Sequence, residues 1–489
     1  VAAWLALCLA GCATDGYGRL FDQPAIGPKS PVAAPNAPPP SVVQARFDAG
    51  QTVAGQQAAA PVNAARQAKL AQPVELKETG LTLDQAIHAA LLANAKIRAG
   101  VENITQARAD YLTSSLLPNP TLTADLLNLP LTHPFTVDVS GGPPQTDYMV
   151  SYPIDWFLFG KRAASMASAQ AGVRVSEADY ADLVRTKVLE VASSYYDVVE
   201  AKALLDLARQ DVENLRRVEA SIKKAAELGG RPAVDLKRAS LEVLKAEQDV
   251  REAETKLVTA RASLRALLGR RDADALFDVA ASLDTPVTAR PLPLEESLTL
   301  AEKNRPDIAS LRLLVDKASR DVHSEMTKAY PAVTPQLGYT RQFQQKAIGF
   351  PDADSWLMAV SITLPFSDRN QGNIAKAKSV FAQNNVNLEG GLTDLRAELA
   401  QVVQEFDAAY RSAGAVGEQQ VKLARDVRDS IEKGYKEGGR TLIEFLDAER
   451  EYRDTYRTYI SNRAAYWRAL YRYSAAVGQQ VLHHDKPPE

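Results

Sequence analysis

Ser355-Trp356-Leu357-Met358-Ala359-Val360-Ser361-Ile362-Thr363-Leu364 is the stretch on which the fold turns. Trp356, Met358, Val360, Ile362 and Leu364 alternate with Ser355, Leu357, Ala359, Ser361 and Thr363, the period of two that sends side chains to opposite faces of a strand. A partner precedes it, with Val333, Leu337, Tyr339 and Phe343 on one face and Gln336, Gly338, Thr340, Gln342 and Gln344 on the other. About 210 residues earlier the pattern occurs again. Tyr148, Val150, Tyr152, Ile154 and Trp156 oppose Asp147, Met149, Ser151 and Asp155, and a weaker strand over 121–126 puts Leu122, Ala124 and Leu126 on its apolar side. One such strand alone fits the half-buried sheet of a soluble protein. Four in two matched hairpins, apolar outward, polar inward and aromatic at their ends, carry the signature of an outer-membrane β-barrel. The linkers 128–146 and 346–354 are then expected as external loops.

Around these strands the chain says nearly the same thing twice. Leu81-Thr82-Leu83-Asp84-Gln85-Ala86-Ile87 returns as Leu292-Pro293-Leu294-Glu295-Glu296-Ser297-Leu298, and Gly160 returns as Gly372. Gly229-Gly230-Arg231 returns as Gly438-Gly439-Arg440, and Gly269 as Gly478. A repeat of this length is a duplicated domain rather than a solenoid unit, with copies over 81–290 and 291–480. The first copy predicts a helix over 81–117, capped by Thr82 or Asp84 and stopped by Pro118 and Pro120. Helices over 160–227 and 233–268 follow, the last ended by Gly269. The second copy predicts a helix ending near Ala329, one over 369–436 and one over 441–477. At 1.5 Å per residue the run 160–227 spans roughly 100 Å. Along it Val184, Val188, Val191, Tyr195 and Val198 form a heptad seam, and Leu189, Ala192, Tyr196 and Val199 form a second beside it. Two seams need neighbours on both sides, which favours a ring of helices. In the last helix Phe445, Tyr452, Tyr456, Tyr459, Tyr466, Leu470, Tyr473 and Val477 keep core spacing, interrupted by Glu449 and Arg463.

The 57 basic and 60 acidic residues of this 489-residue chain leave no net field to recruit nucleic acid. Val1 to Leu9 are apolar and lead into Leu9-Ala10-Gly11-Cys12, the form of a bacterial lipobox. A signal over 1–12 is expected to be cleaved before Cys12, leaving that cysteine to be acylated, and its basic n-region is expected upstream. Acyl chains add about 0.8 kcal/mol of membrane affinity per buried CH₂. Ala13 rather than Asp follows, which by resemblance to other lipoproteins points to the outer membrane. Cys8 lies inside the signal, so no disulfide and no cysteine-based metal site are expected. Residues 13–80, rich in Ala, Pro and Gln, read as an extended leader, and 481–489 as a flexible tail. No later segment holds the uninterrupted apolar run of about 18 residues that a membrane helix needs, so any crossing has to use strands.

Chemistry-bearing constellations are scarce. His88, His133, His323, His483 and His484 form no spaced ligand set, and His483-His484 reads as a solvent-facing pair. Gly229-Gly230 is a helix break rather than a phosphate cradle, and no nucleophile constellation appears. No enzyme is expected, and no cofactor or metal site of its own.

Four strands cannot close a barrel, and each unpaired edge group in lipid costs several kcal/mol. Several chains are therefore expected to share one barrel. The full pattern resembles the TolC family of outer-membrane efflux proteins over about residues 81–480. Its most specific stretch is Gly434-Tyr435-Lys436-Glu437-Gly438-Gly439-Arg440-Thr441-Leu442-Ile443-Glu444-Phe445-Leu446-Asp447-Ala448, similar to the family's periplasmic helix-tip turn. Leu364-Pro365-Phe366-Ser367-Asp368-Arg369-Asn370-Gln371-Gly372 is similar to its strand-to-helix junction. That junction and the lipobox look closest to the CzcC/CusC-like, metal-exporting branch. The resemblance implies a mixed α+β, mostly α fold: a homotrimer whose twelve-stranded β-barrel, four strands per chain, continues into a long α-helical barrel of twelve helices. Two short helices stacked end to end would match one long helix. It implies an exit duct for an inner-membrane pump of the RND type and a periplasmic adaptor, anchored in outer-membrane lipid at Cys12.

The resemblance also implies a gate. Tyr435 and Arg440 match the tyrosine and arginine of the polar links that close the family's tips, and Asp235 matches the aspartate that pairs with the tyrosine. Glu444 and Asp447 match two acidic positions that ring the entrance. Glu444 is an aspartate in the best-known member, and Val234 replaces a threonine that takes part in closure. Three copies of Glu444 and Asp447 would stack two acidic rings, which favour cations at a constriction. A helix start also attracts such acids through its dipole alone. The tips at Gly229-Gly230 and Gly438-Gly439 would meet the adaptor. Metal, drug or protein cargo stays open within the family. The reading from another class is a periplasmic coiled-coil adaptor or structural protein, which asks for one helical hairpin and no lipid-facing strands.

Overall fold

A computed structural model of the chain describes residues 80–139, 141–228, 232–270 and 278–479. The signal, Cys12, the leader up to residue 79, Gly229, Gly230, the histidine pair and the tail lie outside the described residues. The first copy comprises α1 (Leu83–Ala93), α2 (Ala95–Ser115), β1 (Thr121–Leu127), β2 (Gln145–Ser151), the short turn α3 (Asp155–Leu158), α4 (Lys161–Glu227) and α5 (Ala233–Leu267). The second comprises α6 (Leu294–Asn304), α7 (Pro306–Lys328), β3 (Val333–Gln342), the turn α8 (Gln344–Ile348), β4 (Ala353–Ile362), α9 (Gln371–Ala413), α10 (Ala415–Lys436) and α11 (Leu442–Val477).

Capping decides where the helices begin. Thr82, not Asp84, caps α1: its hydroxyl accepts the Gln85 N–H while the Gln85 side chain accepts the Thr82 N–H, a reciprocal capping box. Gly160 opens α4 at φ +64°. Its counterpart is Asn370 at φ +59°, not Gly372, which lies inside α9; asparagine is the residue after glycine best suited to that region.

Three breaks depart from the sequence reading. The first helix divides at Asn94, whose side chain accepts the Lys96 N–H at 2.9 Å and donates to Leu267 O at 2.9 Å. The matching helix divides before Pro306, which has no N–H to continue the ladder. The run 369–436 divides at Gly414 into α9 and α10. The first two breaks let short helices stack. α5 ends against the start of α2, and α11 ends against the start of α7, where Arg305 donates to Ala476 O at 3.2 Å. Gly269 and Gly478 turn the chain at φ +67° and +72°, and a Cβ on either would lie 2.6 Å from Ala93 O or 2.9 Å from the Asn304 carbonyl carbon.

These stacks give each chain four parallel ranks: α2 with α5, unbroken α4, α7 with α11, and α9 with α10. The half of α4 near the sheet packs on α2 and α7, and its other half on α5 and α11. Both of its seams are buried from Val191 and Ala192 to Val198 and Val199, as two-sided packing requires. Tyr195 belongs to one seam, and its hydroxyl donates to Leu81 O at 2.8 Å and accepts the Ala281 N–H at 3.2 Å. Tyr466 does the same for Ala289 in the second copy. The aromatic spacing of α11 serves the core toward its two ends, where Phe445, Tyr466 and Tyr473 are buried, while Tyr452, Tyr456 and Tyr459 between them are half-buried and stack on one another.

The strands form one antiparallel sheet in the order β1-β2-β3-β4. Register aligns Leu122, Val150, Leu337 and Met358 in one row and Ala124, Tyr148, Tyr339 and Trp356 in the next. The opposite face carries Asp125, Asp147, Thr340 and Ser355. The apolar rows are open, with Leu122 69% and Met358 83% exposed. β2 is shorter than expected: it stops at Ser151, and Trp156 falls in α3. Pro153 cannot donate to a ladder, although the Tyr152 and Ile154 N–H groups still reach Pro335 O and Val333 O at 3.2 and 2.9 Å. The expected loops are trimmed as well, since Gln145 and Thr146 join β2 and Ala353 and Asp354 join β4. Among the described residues no helix is long and apolar enough to cross a membrane.

Candidate functional site at the helix tips

The turn from α10 to α11 is built by two backbone bonds. Gly438 N–H donates to Tyr435 O at 3.2 Å and Gly439 N–H to Gly434 O at 2.9 Å, the pattern of a Schellman cap. Only Gly438, at φ +81°, needs to be glycine for its conformation. Beyond the turn, Thr441 and Glu444 form a second capping box: Thr441 N–H donates to Glu444 Oε2 at 2.8 Å, and Glu444 N–H to Thr441 Oγ1 at 3.3 Å. Arg440 Nη1 donates to Glu444 Oε1 at 3.1 Å. The bonds from Thr441, backbone first, and the charge of Arg440 hold the Glu444 carboxyl below the usual glutamate range. Three expected gate positions thus meet here in part: Arg440 and Glu444 pair with each other within one turn, and Asp447 pairs with Arg450 at 3.1 Å.

Tyr435 lies with its ring stacked on Phe445, centroids 5.3 Å apart. Phe445 in turn joins Leu442 and Leu446 of α11, Val212, Leu215 and Ile222 of α4, and Ala239, Val243 and Ala246 of α5 in one apolar cluster. The α10–α11 hairpin is therefore packed on the α4–α5 hairpin near the tips. Asp235 sits in the first turn of α5, its N–H bonded to Pro232 O at 3.0 Å. Gly229 and Gly230, the expected partner tip, lie outside the described residues.

Beyond this cluster, charged contacts absent from the sequence reading cross between the hairpins. Arg453 Nη1 of α11 donates to Asp211 Oδ2 of α4 at 3.0 Å, with Asp211 only 7% exposed. Arg450 reaches Glu242 of α5 at 3.5 Å and Arg457 reaches Asp249 of α5 at 3.5 Å. Burial pushes the Asp211 carboxyl above the ordinary aspartate range despite Arg453. Burial also raises Glu449, against the pull of Arg428 and with the help of Asp211, Glu432 and Asp429. A visible signal existed: three arginines at i, i+3 and i+7 share one helix face. Arg463, read as an interruption of the core, is buried and donates to Leu283 O at 2.8 Å and Thr285 O at 2.7 Å. Among the described residues no three His, Cys, Asp or Glu side chains gather as a metal ion would need.

This arrangement of strands, ranks and tips can be set beside known proteins. The chain matches the outer membrane efflux protein family over residues 86–270 and 298–479, one segment in each copy. It is 24% identical over 380 residues to the cobalt-zinc-cadmium resistance protein CzcC of Cupriavidus metallidurans, covering 76% of this chain and 83% of that one. It is 23% identical over 392 residues to the outer membrane protein TolC of Vibrio cholerae, covering 78% and 85%. In structure it is similar to CusC, with a TM-score of 0.67 at 18% identity, over 84% of this chain and 96% of that one. A match spanning both copies leaves one assignment: the chain belongs to the outer membrane efflux protein family.

Proposed function

We propose that the protein is the exit duct of a tripartite efflux system and that three copies make the pore. The observation that carries this reading is the sheet: its apolar rows lie exposed on one face, while β1 and β4 have no further strand beyond them among the described residues. Exposed in lipid, those edges would cost several kcal/mol per unpaired group. Joining β4 of one copy to β1 of the next satisfies them, and twelve strands with twelve helical ranks follow from threefold closure. Cys12, acylated, would anchor each chain to the outer membrane, with the helices in the periplasm. A periplasmic adaptor would meet the tips at Gly229-Gly230 and Gly438-Gly439 and deliver cargo from an inner-membrane pump of the RND type.

Heavy-metal cations are the cargo this reading favours. Three copies of Glu444 and Asp447 would line the entrance with carboxylates, which attract cations, and the likeness to CzcC, a cobalt-zinc-cadmium resistance protein, supports the same choice. Asp235, Tyr435, Arg440, Glu444 and Asp447 form the proposed gate. Deleting the protein from its host is expected to sensitise cells to divalent metals more than to dyes or antibiotics. The reverse ranking would assign it to multidrug export. Purified protein that forms no pores in planar bilayers would overturn the duct itself.

A further inference from the structure

Closure of such a duct has to be held somewhere, and in this chain Arg440, Glu444 and Asp447 spend their charges locally. Arg440 is engaged by Glu444 of its own turn, and Asp447 by Arg450 of its own helix. Apolar packing around Phe445 joins the two hairpins near the tips, and the ion pairs that cross between them lie farther along α11. Arg450, Arg453 and Arg457 fall on one helix face and reach Glu242, Asp211 and Asp249 at 3.5, 3.0 and 3.5 Å. The central pair is buried, its side chains 17% and 7% exposed, whereas the outer two are half-exposed on the arginine side. Resting on the reading of the protein as a duct, we propose that an arginine stripe on α11 latches the α10–α11 hairpin to the α4–α5 hairpin, with Arg453–Asp211 as the central bolt.

The charges around the bolt give the latch its force. Asp211 on α4 is accompanied by Glu242 and Asp249 on α5, by Asp429 and Glu432 on α10, and by Glu449 and Asp454 on α11. The cations facing them are Lys245 on α5, which holds Glu242 at 2.9 Å, Arg428 and Lys436 on α10, and Arg450, Arg453 and Arg457 on α11. Without Arg453 a buried carboxylate loses its partner among other carboxylates, and separation of the hairpins is the available relief. A surface ion pair would contribute little to such a choice of state. Arg450 is shared between Asp447 and Glu242, so the proposed acidic entrance and the latch are joined through one guanidinium.

The test is single-channel conductance of full-length trimers reconstituted in planar bilayers. Arg453→Glu is expected to raise conductance severalfold over the native chain. Arg457→Glu, at the half-exposed flank, should give a smaller rise and covers the case in which the central variant fails to assemble. Combining Asp211→Lys with Arg453→Glu restores opposite charges across the seam and should bring conductance back toward the native value. Pores of unchanged conductance in both single variants would overturn the latch while leaving the duct intact. A severalfold rise that the reversed pair does not reduce would equally overturn it, by showing that α11 rather than the pairing is at fault. Absence of pores from the native chain would instead defeat the duct reading on which the latch rests.

Discussion

Two helices occupy matching places in the copies, and only one of them is whole. α4 runs 67 residues without interruption. Its counterpart stops at Gly414, where φ −81° and ψ −149° end α9, and resumes as α10. The first copy supplies a continuous post, whereas the second supplies a jointed one. The joint is filled by Arg463, 1% exposed, which donates to Ala413 O at the end of α9 as well as to Leu283 O and Thr285 O in the segment between the copies. A guanidinium suits this place because its five donors stay charged and can serve several carbonyls at once, and because a cation is favoured at a helix C-terminus. Duplication has kept the ranks while letting their joints diverge.

The largest effect should come from emptying the joint. Arg463→Ala leaves buried carbonyls without donors and opens a cavity, which is expected to cost about 3–5 kcal/mol. The readout is a fall in the thermal midpoint of helical circular dichroism in detergent. Arg411→Ala removes an arginine of α9 close to the joint, but one whose side chain is 76% exposed in its pair with Asp407, and should change stability by no more than about 0.5 kcal/mol. Equal losses would mean that the joint has no special dependence on Arg463.

Next come the stacked junctions, where the copies should behave alike. Gly269→Ala and Gly478→Ala each force a side chain into the left-handed region and against a facing backbone, at about 2 kcal/mol apiece. Unequal losses would show that one stack carries more of the fold than the other. A smaller contrast separates Gly160 from Gly372. Gly160→Ala should cost about 1 kcal/mol because φ is +64° there. Gly372→Ala lies in a regular helix with open space around it and should gain about 0.5–1 kcal/mol.

That last pair shows where sequence reading succeeds and where it slips. Outer helix limits, terminal glycines and strand faces are legible because each follows from a local period or a local dihedral demand, whereas the breaks inside three of the helices are not. The α4 boundary and the Gly269 and Gly478 terminators are found within a residue or two of their expected places. Gly160 was matched to Gly372 because glycine resembles glycine, while the backbone asks only for a residue that tolerates φ near +60°, and Asn370 does. Asn94 carries only the local signal of an N-cap residue; its side chain is fixed besides by Leu267 O, 173 residues away in the chain. The arginine stripe shows its spacing in the sequence but not its partners, for the same reason. Periodicity assigns Arg453 to a face of α11, but only packing brings α4 and Asp211 to that face.

The smallest expected effect is a pair of slopes that sets the two copies against each other. In the first copy, burial lifts Asp211 above the ordinary aspartate value of 3.8. In the second, burial alone would lift Asp307 too, but Arg305, bonded through two nitrogens at 3.0 and 2.6 Å, and the charge of Arg185 hold it below that value. The signs are therefore opposite. A raised carboxyl contributes stability that is complete below the ordinary value and is lost as pH rises through the higher folded value. A lowered carboxyl contributes stability that is complete above the ordinary value and is lost as pH falls through the lower folded one. Thermal midpoints of the native chain, Asp211→Asn and Asp307→Asn should be compared across the pH range. The native advantage over Asp211→Asn should shrink as pH rises above about 4, over a range where its advantage over Asp307→Asn stays flat. Below about 4 the pattern should exchange, with the Asp307 advantage falling away and the Asp211 advantage level. Parallel slopes in the two variants would mean that both carboxyls share one environment, against the contrast between a tip seam where burial outweighs the arginines and a stacked junction where Arg305 outweighs burial.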